Sequence, residues 1–157
     1  MRVAQASLSD PKVLALIAAH MAHCDGSSPP ESCHRLDANG LDRPGVTVLG
    51  AWRGETLAGI GALARHSGTE GELKSMHTAA THRGRGVGCA ILSGLIALAR
   101  VDGLSMLRLE TGSNAPFAAA RALYARRGFV ETPPFGAYRP DPWSRFYALD
   151  LTKEATP

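Results

Sequence analysis

A glycine-rich segment at residues 83–88, Arg-Gly-Arg-Gly-Val-Gly, combines the residue types that bind phosphate. Glycines let a backbone come close to a ligand, and the unpaired N–H groups at the start of a helix attract anions. An apolar helical pattern begins directly after the segment, and Arg83 and Arg85 add positive charge beside it. The segment therefore predicts a site for a phosphate-bearing ligand.

Two common phosphate-binding motifs fit this segment poorly. A dinucleotide fold needs G-x-G-x-x-G directly after its first strand and an acid about 20 residues later. Glu110 is near that distance, but Cys89 stands in place of the last glycine, and an antiparallel pattern comes before the loop instead of a βαβ repeat. A P-loop would need Gly-Lys-Ser/Thr, which the segment lacks.

The elements that position this loop can be predicted from the spacing of apolar residues. Asp10-Pro11 is a good helix start, and Gly128 is a good helix end. Arg53-Gly54-Glu55 reads as a hairpin connection. We predict strands over 3–7, 46–52, 56–65, 72–78, 104–111 and 145–151. We predict a helix of about three turns that begins at residue 11, a helix over 87–99, a helix from 113 or 114 to 127, and a short helix within 31–39. This order predicts an α/β fold with a mixed sheet and helices packed on it.

Composition restricts the class of protein. A chain of 157 residues, 45% hydrophobic and 20% charged, is typical of one globular domain, so we expect residues 1–157 to form a single domain. No apolar run is long enough for a membrane span or a signal peptide, which favours a cytoplasmic protein with no membrane partner. The basic residues are scattered and the net charge is only +3, so we expect no nucleic-acid partner.

Histidines and cysteines concentrate in one region without forming a good metal site. His20 and His23 have suitable spacing for zinc, but Cys33 and His34 are adjacent and hard to place on one ion. Three cysteines outside CxxC spacing also argue against a disulfide framework. We therefore expect no metal.

Two spaced motifs resemble the GCN5-related N-acetyltransferase (GNAT) superfamily. Arg83-x-x-Gly86-x-Gly88 is similar to its Q/R-x-x-G-x-G/A signature, and the segment 123–129, Leu-Tyr-Ala-Arg-Arg-Gly-Phe, is similar to its L-Y-x-K/R-x-G-F segment. The strand 71–76 and the strand end 110–113 also look like those of small bacterial members. The resemblance covers roughly residues 46 to 131 and implies a GNAT-type acyl-CoA N-acyltransferase fold, with a mostly antiparallel, splayed sheet flanked by helices.

The resemblance implies acetyl-CoA as cosubstrate and a set of residues that bind it. The loop amides would hold the pyrophosphate, and the strand before the loop would pair with the pantetheine arm. The basic residue that follows the tyrosine of the L-Y-x-K/R-x-G-F segment would contact a phosphate. Phe117 stands where the superfamily often has an asparagine that contacts CoA. The implied cofactor-binding residues are His77, Thr78, Arg83, Gly84, Arg85, Gly86, Val87, Gly88 and Arg126.

Two residues are implied as catalytic. Tyr124 matches the superfamily's tyrosine and would protonate the departing thiolate. Glu72 lies eleven residues before Arg83, where histone-acetylating members have their glutamate base. His77 is a rival base, since an imidazole titrates near neutral pH, and ordered water is a third alternative. Cys89 lies in an apolar helical segment, so an acyl-cysteine intermediate is disfavoured.

The acceptor is expected to contact loops, which commonly carry recognition on a rigid sheet. We predict substrate contacts from Glu31 and His34 in the first polar loop, and from Phe135 and Tyr138 in the Pro-rich C-terminal loop. The alternative is that these aromatics only cover a sheet edge. The predicted function is transfer of acetyl to a primary amine, on a small molecule or a peptide, by direct attack in a ternary complex. A non-catalytic acyl-CoA-binding module is the alternative, and homodimers are frequent in the superfamily.

Overall fold

A seven-stranded sheet forms the centre of the protein in a computed structural model that describes residues 1–29, 36–66 and 68–153. The strand order is β1-β2-β3-β4-β5-β7-β6, and every neighbouring pair is antiparallel except β4 and β5. The strands are β1 (Arg2–Gln5), β2 (Val46–Arg53), β3 (Thr56–Arg65), β4 (Glu70–Thr78), β5 (Met106–Gly112), β6 (Val130–Thr132) and β7 (Ser144–Asp150). The predicted mixed sheet is confirmed.

In the part of the chain that the structure describes, four α-helices accompany the sheet: α1 (Pro11–Ser27), α2 (Ala38–Leu41), α3 (Val87–Val101) and α4 (Ala118–Arg126). Asp10 caps α1, because its carboxylate accepts a hydrogen bond from the Lys12 N–H at 2.9 Å. Gly128 follows α4 with a φ of 93°, the left-handed conformation expected at a helix end. Both predicted helix signals are therefore confirmed.

The helices bury two separate apolar clusters on the sheet. In one cluster, α3 lies against β2, β3 and β4. Gly59 and Gly61 of β3 make this close packing feasible, since a Cβ on Gly61 would lie 2.7 Å from Ile91 Cγ2. In the other, α1 lies against β3 and β4, with Val13 and Ile17 buried.

The sheet opens between its two parallel strands. β4 and β5 pair only over their first residues, from Glu70 with Met106 to Leu73 with Leu109. The register of β4 against β3 then shifts, so that Ser75 and Met76 lie opposite the single residue Gly61. The second halves of β4 and β5 therefore diverge, which confirms the predicted splay and leaves a gap between them.

Some boundaries differ from the prediction. Helix α1 continues to Ser27, through Asp25 and Gly26, and is longer than the predicted three turns. Continued helical hydrogen bonding, such as Ser28 N–H to the Cys24 carbonyl, outweighs the weak propensity of glycine. Strand β6 was not predicted, because three residues are too few to show a period and its pairing with β7 is a tertiary contact.

Candidate active site

The glycine loop joins β4 to α3 in a conformation that only glycine adopts easily. Gly84 and Gly86 have φ angles of 74° and 81°, and Gly86 is the residue before the first turn of α3. A Cβ built on either glycine meets nothing within 4 Å, so the backbone faces open space. No side chain caps α3, which leaves its first N–H groups available to an anion.

A cleft of about 460 Å³ runs from this loop along the second half of β4. One wall is the end of β4 with the loop, and the other is α4 with the turn before it. Every predicted cofactor-binding residue except Arg85 lines the cleft: His77, Thr78, Arg83, Gly84, Gly86, Val87, Gly88 and Arg126. The backbone carbonyl of Arg85 instead accepts a hydrogen bond from Arg53 Nη2 at 3.2 Å.

A second, smaller cavity of about 90 Å³ adjoins the cleft. Both cavities are lined by His20, Met76, Phe117, Ala120 and Tyr124, so they meet at these side chains. Polar residues of β4 and β5 line the smaller cavity but not the larger cleft; they include Glu72, Lys74, Ser75, Glu110 and Thr111. The structure thus brings the two predicted catalytic residues, Glu72 and Tyr124, to one cavity from separate elements.

Tyr124 lies at the junction of the two cavities. Its side chain is buried, with ring centroids 5.7 Å from Phe129 and 6.4 Å from Tyr147. Burial raises the pKa of its hydroxyl, and Glu110 raises that pKa further. Tyr124 is therefore protonated throughout the neutral pH range and can act as a hydrogen-bond donor.

Glu72 is a buried carboxylate with three polar partners, two in hydrogen bonds and one in an ion pair. Its Oε2 accepts a hydrogen bond from the Tyr138 hydroxyl at 2.7 Å and lies 3.1 Å from Lys74 Nζ. Its Oε1 lies 2.9 Å from His66 Nε2. Only 4% of Glu72 is exposed. Its role as general base stays a prediction, and a base at this position would have to act while holding these partners.

Glu110 is a second acidic group in the smaller cavity, and it was not predicted as a catalytic residue. Burial is the main cause that raises its pKa to about 7, with Glu72 and Asp141 contributing, while Ser144 and Lys74 oppose the shift. Ser144 Oγ lies 3.2 Å from its Oε1. The sequence held a signal, because Leu107 and Leu109 alternate into the core and direct Glu110 to the opposite face.

His77, the rival base, has a different electrostatic setting. Burial lowers the pKa of its imidazole to about 4, and His23 and Arg83 lower that pKa further. His77 is therefore neutral at pH 7 and a weak proton acceptor there. Its ring packs against α1, with its centroid 5.4 Å from that of His20 and 6.0 Å from that of His23.

Of the described residues predicted to bind the acceptor, only some line the smaller cavity. Tyr138 lines the smaller cavity. Phe135 does not line it but packs on Tyr138, with ring centroids 5.1 Å apart. Glu31 and His34 lie outside the described residues. Cys89 is exposed in the first turn of α3 and lines the larger cleft, not the smaller cavity.

Two further properties concern residues 1–29, 36–66 and 68–153. Within these ranges, no group of three His, Cys, Asp or Glu side chains is arranged to hold a metal ion. None of the helices there combines the length and apolar character needed to cross a membrane.

The open glycine loop, the splayed pair of parallel strands and the buried Tyr124 between the two cavities are the features that the sequence resemblance predicted for an acyltransferase fold. The chain belongs to the acetyltransferase (GNAT) family, whose sequence profile matches residues 14–129. It is 46% identical to the uncharacterized N-acetyltransferase YedL of Escherichia coli over 92% of this chain and 91% of that protein. It is 41% identical to the uncharacterized N-acetyltransferase YsnE of Bacillus subtilis over 92% of this chain and 95% of that protein.

Solved structures have the same fold. A Klebsiella pneumoniae protein assigned as an acyl-CoA N-acyltransferase superimposes with a TM-score of 0.78 at 30% identity, covering 96% of this chain and 97% of that one. YncA of Salmonella typhimurium, solved with its cofactor acetyl-CoA, gives a TM-score of 0.71 at 21% identity, covering 99% and 96%. The predicted superfamily and its fold are therefore confirmed.

Proposed function

We propose that residues 1–157 act as one domain that transfers an acetyl group from acetyl-CoA to a primary amine, by direct attack in a ternary complex. The observation that carries this proposal is the meeting of two cavities at Tyr124. One cavity begins at the anion-binding loop, and the other contains two carboxyl groups. This arrangement allows a CoA thioester and an amine to enter from different sides and meet at one hydroxyl.

The residues present fit an acyl-CoA. The helix α3 amides and the open backbone at Gly84 and Gly86 suit a pyrophosphate, with Arg83 and Arg126 supplying positive charge to the same cleft. Beyond Leu73, the β4 edge that faces β5 does not pair with it, so its N–H and C=O groups suit the amides of a pantetheine arm. The acetyl-CoA bound by YncA, which shares the fold, supports the same choice of ligand.

The amine must be neutral to attack. In the step proposed, its nitrogen lone pair forms a bond to the thioester carbon, the C–S bond breaks, and the nitrogen loses one proton. We assign acceptance of that proton to Glu110, whose pKa of about 7 is matched to neutral pH. Glu72, the base predicted from the sequence, is the alternative. Its three existing partners favour a role in holding Lys74 and Tyr138 in position.

Tyr124 acts as a donor at the leaving sulfur, whereas Glu110 acts as an acceptor at the amine. Its hydroxyl remains protonated because burial raises its pKa, so it can donate a hydrogen bond to the departing thiolate. Its ring contacts with Phe129 and Tyr147 hold it in position without any loop movement. The departing sulfur therefore meets a hydrogen-bond donor that is already in position, so no water molecule has to reorient to stabilise it.

The first experiment is calorimetric titration of the purified protein with acetyl-CoA and, separately, with NADH. We expect micromolar binding of acetyl-CoA alone, followed by thiol release when a panel of primary amines is added. Lack of acetyl-CoA binding would contradict the proposal. Binding without thiol release for any amine would favour the non-catalytic acyl-CoA-binding module.

A further inference from the structure

Ser75 combines two features that each cost free energy in a folded protein. Its φ is 56°, and it is the single non-glycine residue with a positive φ in the part of the chain that the structure describes. Ser75 is only 9% exposed, and its Oγ is buried without a hydrogen-bond partner. Strained backbone and unsatisfied polar atoms cluster at functional sites, where a ligand completes them.

The position of Ser75 indicates which ligand that is. Ser75 lies at the bulge where β4 diverges from β5, opposite Gly61. It lines the smaller cavity but not the cleft that begins at the glycine loop. Ser75 therefore lies on the side of the site assigned to the acceptor and not on the CoA side.

The chemistry of the smaller cavity then suggests how an amine would be held. A neutral primary amine has two N–H groups and one lone pair. A carboxylate in the cavity can accept one N–H, and a serine hydroxyl can accept the other with a lone pair of its oxygen. With both N–H groups held, the nitrogen lone pair is left to point towards the thioester.

We propose that Ser75 Oγ accepts a hydrogen bond from the acceptor amine, so that Ser75 and a cavity carboxylate together recognise a primary amino group. This inference rests on the proposed function. It has a consequence for selectivity: a secondary amine offers only one N–H and would leave one of the two acceptors unsatisfied. The site should therefore prefer a primary amine to its N-methyl derivative.

The test compares kcat/KM for the best amine of the panel and for its N-methyl derivative, in wild type and three variants. Ser75→Ala removes the hydroxyl, Ser75→Cys keeps its size but accepts hydrogen bonds weakly, and Ser75→Gly removes both the hydroxyl and the cause of the φ strain. Each variant should lose about tenfold in kcat/KM for the primary amine, the loss expected for one hydrogen bond. The preference over the N-methyl amine should narrow by a similar factor.

Two readouts separate this role from a structural one. Acetyl-CoA affinity should be unchanged in all three variants, since Ser75 does not line the larger cleft. Ser75→Gly should be at least as thermostable as wild type. Ser105→Ala is the matched control, because Ser105 Oγ is exposed and pairs with Thr69 away from both cavities.

Unchanged selectivity in Ser75→Ala and Ser75→Cys would overturn the inference. It would also be overturned if Ser75→Cys kept wild-type activity while Ser75→Ala did not, since size would then explain the effect. Absence of thiol release with every amine in wild type would instead overturn the proposed function, and this inference with it.

Discussion

The phenolic oxygen of Tyr138 lies 2.7 Å from Oε2 of Glu72, across a separation of 66 residues. Burial raises the pKa of the Tyr138 hydroxyl, and the Glu72 charge raises it further, so this hydroxyl stays protonated and donates to the carboxylate. Lys74 Nζ contacts both groups, at 3.1 Å from Glu72 Oε2 and 2.9 Å from Tyr138 Oη. The C-terminal loop is therefore attached to β4 inside the candidate site.

Replacement Tyr138→Phe should remove this attachment without removing the ring. The ring contacts with Phe135 and Phe146, at centroid distances of 5.1 and 5.4 Å, would remain. We expect the free energy of unfolding in urea to fall by about 1–3 kcal/mol, because the buried Glu72 carboxylate loses a donor. An unchanged urea midpoint would mean that Lys74 and His66 satisfy Glu72 alone.

Activity should depend on pH through Glu110. With a pKa of about 7, this carboxyl becomes a competent proton acceptor as the pH rises, so the rise of kcat/KM with pH should include a step with a midpoint near pH 7. Glu110→Gln should lower kcat/KM about 100-fold or more and abolish that midpoint. Glu72→Gln is the paired variant. If it abolishes the midpoint while Glu110→Gln keeps it, Glu72 is the base, as the sequence predicted.

The raised pKa of Glu110 should also appear in the pH dependence of the free energy of unfolding. The pKa of Glu110 is raised from 4.5 in the unfolded reference to about 7 in the folded protein, so folding binds a proton between these pH values. Its stabilising contribution is complete below pH 4.5 and is lost as the pH rises to about 7. The free energy of unfolding of wild type relative to Glu110→Gln should therefore decline by about 3 kcal/mol over this range. A pH-independent difference in chemical denaturation would contradict the raised pKa.

Removal of the Tyr124 hydroxyl should affect the chemical step rather than cofactor binding. We expect Tyr124→Phe to lower kcat by about 10- to 100-fold, since the departing sulfur loses a positioned donor. Acetyl-CoA affinity by calorimetry should be unchanged, because the ring and its contacts with Phe129 and Tyr147 remain. Wild-type kcat in this variant would assign the proton to another donor, such as water.

The glycine loop should tolerate no side chain at Gly86. With a φ of 81°, an alanine there would be strained by about 1–2 kcal/mol even though open space surrounds it. Loop distortion should weaken acetyl-CoA binding about tenfold or more by calorimetry. Gly26→Ala is the control, because Gly26 lies in α1 with nothing within 4 Å of a built Cβ. Gly26→Ala should raise stability slightly and leave acetyl-CoA binding unchanged.

Local chemistry in the sequence was enough to predict several elements. Asp10-Pro11 predicted the start of α1, and Gly128 the end of α4, because capping and left-handed turns depend on neighbouring residues only. The hairpin at Gly54 and the loop before α3 followed for the same reason. The glycine loop also predicted a phosphate site, which stays a prediction; most of the residues that the family resemblance implied for the cofactor line the larger cleft.

What the sequence by itself determined was the family, the order of elements and the glycine loop before α3, all encoded in residues close together along the chain. Tertiary structure alone decided how the smaller cavity is built, because Glu72, Glu110 and Tyr138 come from separate elements and meet only when the sheet forms. It also decided the protonation of Glu110, since burial and not residue type raises that pKa. The strain at Ser75 depends likewise on the register between β3 and β4, which no short segment specifies.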